Sequence, residues 1–142
     1  MNKTLLCTAF AAVTFSSTNC FADPEIPNLV GHWEATGEFA KMLKKDVPAV
    51  KGHGAHTEFG SLSIEFEFTE QKGRLLKGTK TSPSKTEKVV CTIGYDNKSL
   101  HCADEDGIND GQIINNHEII LYYYRINEDY SVVSEAKLTK KK

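Results

Sequence analysis

From Leu29 onward, apolar and polar residues alternate with a period of two. Trp33, Ala35, Gly37 and Phe39 are interleaved with His32, Glu34, Thr36 and Glu38, the pattern of a strand with one buried and one wetted face. Between Ser61 and Thr69 every even position is apolar and every odd position polar, so a slip of one residue would bury Glu65 and Glu67. Arg74 to Thr81, Val89 to Ile93, Leu100 to Ala103, a short strand ending near Ile114, Glu118 to Ile126 and Tyr130 to Thr139 bring the strand count to eight. The segments between them carry turn chemistry: Gln71-Lys72-Gly73, Ser82-Pro83-Ser84-Lys85, Asp96-Asn97, Asp104 to Gly107, Asn109-Asp110-Gly111, Asn115-Asn116 and Asn127-Glu128-Asp129. With no helical crossover between strands, the pattern predicts an all-β, antiparallel, up-and-down meander. Closing it into an eight-stranded barrel removes both exposed edges. One long connection, Lys41 to Phe59, reads as a mobile flap over one end with a short helix at Met42 to Lys45.

The same alternation sorts side chains into an inside and an outside. Trp33, Phe39, Leu62, Ile64, Phe66, Phe68, Leu76, Val89, Ile93, Leu100, Leu121, Val132, Ala136 and Leu138 fall inward and offer almost no polar group to orient a substrate. A barrel of this size is either filled by side chains or holds one small ligand. The expected ligand is therefore a small apolar molecule, with Trp33, Phe39, Phe66 and Phe68 as the residues that touch it. Ile119 to Tyr124 is apolar on both faces. That places Tyr122 and Tyr124 on an outer aromatic patch suited to another exported protein.

Residues 1–22 are expected to be removed before folding. Lys3 supplies a positive start, Leu5 to Val13 an apolar run too short to span a bilayer, and Ser16 to Asn19 a polar exit. Cleavage after Ala22 leaves residues 23–142 as the barrel domain, in a periplasmic or secreted protein with no transmembrane segment; lipoprotein processing before Cys20 is the rival. The remaining cysteines are Cys91 and Cys102. A tight turn at Asp96-Asn97 sets them opposite each other on adjacent antiparallel strands, as a disulfide requires in an oxidising compartment. Closing so short a loop contributes about 3 kcal/mol.

Composition narrows the function. With 17 Lys+Arg against 19 Asp+Glu, the chain has no basic excess for neutralising phosphates, so nucleic acid is not an expected partner. No nucleophile elbow, zinc-protease helix, phosphate loop or dinucleotide fingerprint occurs, so no enzyme activity and no cofactor are expected. His101 and Asp104 fall on opposite strand faces and make no dyad. His53 and His56 on the glycine-containing connection offer two imidazoles to a metal, with His32 or Glu58 as a third ligand. Asp104 to Gly111 lacks the glycine and ligand spacing of a calcium loop.

Leu29-Val30-Gly31-His32-Trp33 carries an L-x-G-x-W pattern that resembles the first strand of avidins and, more loosely, lipocalins. The resemblance to this calycin group implies a small exported eight-stranded barrel with Gly31 and Trp33 packed at one end. It also implies that Arg125 is the later arginine that packs on the tryptophan in lipocalins. Avidin-type biotin pockets use several tryptophans, and Trp33 is the only one here, so biotin is not the implied ligand.

Overall fold

The computed structural model describes residues 25–44 and 56–142. Residues 1–22, expected to be removed, and His53 lie outside them. Eight antiparallel strands form one closed barrel in which each strand pairs with the next: β1 (Gly31–Leu43), β2 (His56–Lys72), β3 (Leu75–Thr81), β4 (Thr86–Ile93), β5 (Ser99–Asp104), β6 (Ile108–Asn115), β7 (Glu118–Ile126) and β8 (Tyr130–Lys140). β1 closes the cylinder on β8, from Trp33 opposite Lys140 to Leu43 opposite Tyr130, and no sheet edge is left. Among the described residues no helix is long and apolar enough to cross a membrane.

The strands form where alternation placed them, and the inward residues pack as one core. Trp33, Ala35, Phe66, Phe68, Leu76, Val89, Ile93, Leu100, Ile113, Ile119, Leu121 and Leu138 are buried together. This core fills one end. There the chain before β1 acts as a plug: Leu29 is fully buried, its carbonyl accepts from Trp33 Nε1 at 2.9 Å, and its amide donates to Gln71 Oε1 at 2.9 Å. Gln71 can reach inward because a bulge between Phe68 and Glu70 reverses the strand's alternation. The disulfide joins Cys91 and Cys102, direct partners across β4 and β5, with a Cα separation of 4.0 Å. The connecting loop holds the expected register but spans more than two residues, closing with Gly94 N on Ser99 O at 2.8 Å. Asp96 Oδ1 accepts from the amides of Lys98 and Ser99, both at 2.9 Å.

Three expectations are corrected. Met42 is not helical: β1 runs on to Leu43 and β2 begins at His56, so both ends of the expected flap are paired strand, and residues 45–55 lie outside the described residues. Asn109-Asp110-Gly111 is no turn but the body of β6, where Gly111 leaves room for the Leu121 side chain. Arg125 is nowhere near Trp33: the cation over the indole is Lys140 Nζ, 5.4 Å from the ring, while Arg125 lies at the opposite end over Tyr130.

Candidate functional site

Continuing the inward phase of each strand away from the plugged end leads into a polar layer. β3 carries Leu76 and then Lys80 inward, β4 Val89 and then Glu87, β5 Cys102 and then Asp104, β6 Asn109, and β7 Leu121, Tyr123 and Arg125. The expected almost wholly apolar interior is therefore corrected. Lys80 and Glu87 are buried to 6% and 4% exposure in the upper half of the lumen. Strand parity held the signal for them, since each shares the inward parity of the apolar residues on its own strand.

These groups form one compensated network. Lys80 Nζ donates to Asp104, lies 3.3 Å from Glu87, and sits 4.6 Å from the centre of the Tyr123 ring. Asp104 also accepts from the Gly107 amide at 2.8 Å and from Asn109 Nδ2 at 3.2 Å. Lys85 Nζ bridges Glu87 and Asp106 at 2.5 Å each. Asp106 takes a second and a third partner, the Tyr123 hydroxyl at 2.8 Å and the Arg125 guanidinium. Arg125 and Lys41 stack on Tyr130 at 4.9 and 5.0 Å, and Lys41 approaches Glu58 at 4.0 Å.

Burial alone would raise the Asp106 carboxyl, but hydrogen bonds from Lys85 and Tyr123 and the charge of Arg125 outweigh it and hold the group below its ordinary range. Tyr123 is pushed up, by burial first and by its bond to Asp106 second, so it remains a hydrogen-bond donor at neutral pH. The hydrogen bonds of Lys85 to Asp106 and Glu87 raise that ammonium. Oxygens of Glu87, Asp104 and Asp106 come within 4.8 Å of one another, a spacing that suits a divalent cation. Lys80, Lys85 and Arg125 already neutralise them, so the cluster reads as a set of fixed dipoles and charges.

Beside this layer lies a cavity of about 160 Å³. Ala35, Leu62, Ile64, Phe66, Val132 and Ala136 of β1, β2 and β8 form its apolar wall, and Lys80, Asn109, Tyr123 and Arg125 stand across from them. Of the four aromatic residues expected to touch a ligand, Phe66 lines this cavity. Trp33 and Phe68 are buried in the packed end. Phe39 keeps the inward parity of β1 but lies over Gly60, where a Cβ would collide with its ring, and is not among the residues lining this cavity.

Tyr122 and Tyr124 do face outward, 39% and 47% exposed. His56 pairs with Glu58 at 3.8 Å. His32 is no third ligand: it bonds Glu67 at 3.3 Å near the start of β1, whereas His56 stands opposite Leu43 at its end. At about 3.3 Å per residue the two are on the order of 35 Å apart. His101 does have a carboxylate partner, Asp110 directly across on β6, at 2.8 Å. Compared with family models, curated proteins and solved structures, the chain matches none.

Proposed function

We propose that this is an exported, non-catalytic binding protein of calycin type that holds a small molecule with an apolar body and a polar head in its lumen. The cavity carries the reading: an apolar wall faces a fixed array of donors and acceptors inside a closed barrel. Its size sets the ligand's. A cavity of about 150 Å³ takes up benzene when its walls are apolar, so about 160 Å³ suits a body of one ring or a short branched chain. The body would pack on Ile64, Phe66 and Val132, with the head toward Tyr123 and Arg125. The network is compensated before anything binds, so a head group would exchange hydrogen bonds rather than uncover a charge. Export is supported by the disulfide, the short apolar leader and the L-x-G-x-W first strand.

Native mass spectrometry of the protein purified from its own host tests this. The expected result is a retained organic adduct that Val132→Phe, which fills the cavity, abolishes. Protein of bare mass in both forms counts against the reading. A second reading, that the Tyr122 and Tyr124 face meets another exported protein, draws on their outward exposure within a wider apolar band.

A further inference from the structure

Strand register lays an apolar row across the outer face of five strands. Ile108 of β6, Tyr124 of β7, Val133 of β8, Ala40 of β1 and Phe59 of β2 stand opposite one another in succession. The next outward row reads Asp110, Tyr122, Glu135, Glu38 and Ser61. The members of these rows on β7, β8, β1 and β2 form a groove of about 630 Å³, with Phe59 on one side, 84% exposed, and the two tyrosines on the other.

Glu38 and Glu135 are direct cross-strand partners in this groove. Like charges in that position repel. Among the described residues Lys41 pairs with Glu58, Lys137 with Glu118, and Asp110 with His101, which leaves both glutamates without an ion-pair partner. Two unpaired carboxylates between aromatic walls define the missing occupant by charge and shape. It is a cation on a long apolar stem, flat enough to lie against a ring and forked enough to reach both acids. That description fits the arginine side chain better than lysine, whose ammonium is compact and strongly hydrated.

We propose that the groove docks an exposed arginine of a basic partner protein, its guanidinium on Glu38 and Glu135 and its stem between Phe59 and the tyrosines. The proposal rests on the second reading above, that the tyrosine face meets a protein, and it adds the partner's chemistry. A second copy of the chain does not supply the group. Arg74 is bonded to the Gly94 carbonyl and to Asn97, and Arg125 to Asp106.

The test follows backbone amide NMR shifts of the full chain during titration with an acetylated, amidated leucine-arginine-leucine tripeptide and with its citrulline counterpart. Saturable shifts at Glu38, Ala40, Tyr122, Val133 and Glu135 are expected with arginine and not with the neutral isostere. Glu38→Gln and Glu135→Gln should each weaken binding about fivefold, as the loss of one partly exposed ion pair does. Equal binding of the two peptides overturns the proposal, as does the absence of saturable shifts. The same shifts produced by calcium chloride alone would assign the acids to a metal and also overturn it. Tyr122→Ser with Tyr124→Ser separates the two claims. If the tyrosine changes abolish peptide binding while the glutamine variants leave it intact, the arginine chemistry fails and the docking face survives; if neither set matters, both fail. Both glutamates are exposed and repel each other, so the glutamine variants should fold at least as stably as the parent, checked by thermal melting.

Discussion

Replacing Lys80 by methionine keeps the stem and removes one charge from the centre of the lumen network. The ammonium it deletes is shared by Glu87 and Asp104, whose side chains are 3% and 0% exposed, so water does not replace it. Breaking a buried ion pair from one side costs about 3–5 kcal/mol. The lower end applies here, because Glu87 retains Lys85 and Asp104 retains Asn109 and the Gly107 amide. A loss of about 3 kcal/mol corresponds to a fall in melting temperature of about 10 °C for a domain of this size. Urea unfolding followed by tryptophan fluorescence reads it directly, since Trp33 is the one indole and lies in the packed end. Adding Asp104→Asn to Lys80→Met should restore most of the loss, because the uncompensated charge goes with it. Salt should alter the difference little, as buried pairs are weakly screened. A loss below about 1 kcal/mol, the range of a surface pair, would refute the claim that the network is desolvated.

Three further outcomes follow from named contacts. Replacing Cys91 and Cys102 together by alanine should cost about 3 kcal/mol from loop closure alone, read as a lower urea midpoint; no change would mean the hairpin is ordered without the bond. Amide donors from Ser99 and Lys98 lower the Asp96 carboxyl from 3.8 to about 2. Because the folded value is depressed, its stabilising contribution is present above the unfolded value and is lost as pH falls through about 2. The melting temperature of Asp96→Ala should thus lie below the parent's at pH 5 and converge with it near pH 2, whereas a constant gap would remove the charge from the explanation. Gly107→Ala places a methyl into the Tyr123 ring whose hydroxyl holds Asp106, and should destabilise by about 1–3 kcal/mol with altered near-ultraviolet dichroism.

Strand parity made most of the fold readable, because a half-buried strand has to alternate and a slip would bury charge. β2 displays that rule over Leu62 to Phe68, and the pairing of Cys91 with Cys102 follows from the same counting. The reading failed where polar residues take inward positions. Lys41 and Glu58 face each other across β1 and β2 and were read as loop, since alternation judged by hydrophobicity stops at the first inward charge. Lys80, Glu87 and Asp104 escape for the same reason, and Arg125 is picked out only by the family resemblance, with the wrong partner. Each is tolerated inside because a partner neutralises it: Glu87 stands directly opposite Lys80 across β3 and β4, while Asp104 of β5 and Asp106 of the following turn reach Lys80 and Arg125 from strands that are not their direct neighbours. Gly111 was misread as a turn because glycine also serves wherever a neighbouring side chain needs the space of a Cβ, here that of Leu121. Outward placement of Tyr122 and Tyr124 was legible from β7 alone, but the facing pair Glu38 and Glu135 needs the β1–β8 register, which no local pattern contains.

The lumen reading is tested most directly by titrating the isotope-labelled full chain with p-cresol, a single ring bearing one hydroxyl, and mapping the amide shifts. Saturable shifts confined to Leu62, Ile64, Phe66, Tyr123, Val132 and Ala136, and lost in Val132→Phe, are the predicted result. Shifts restricted to the outer face, or unchanged in Val132→Phe, would contradict it.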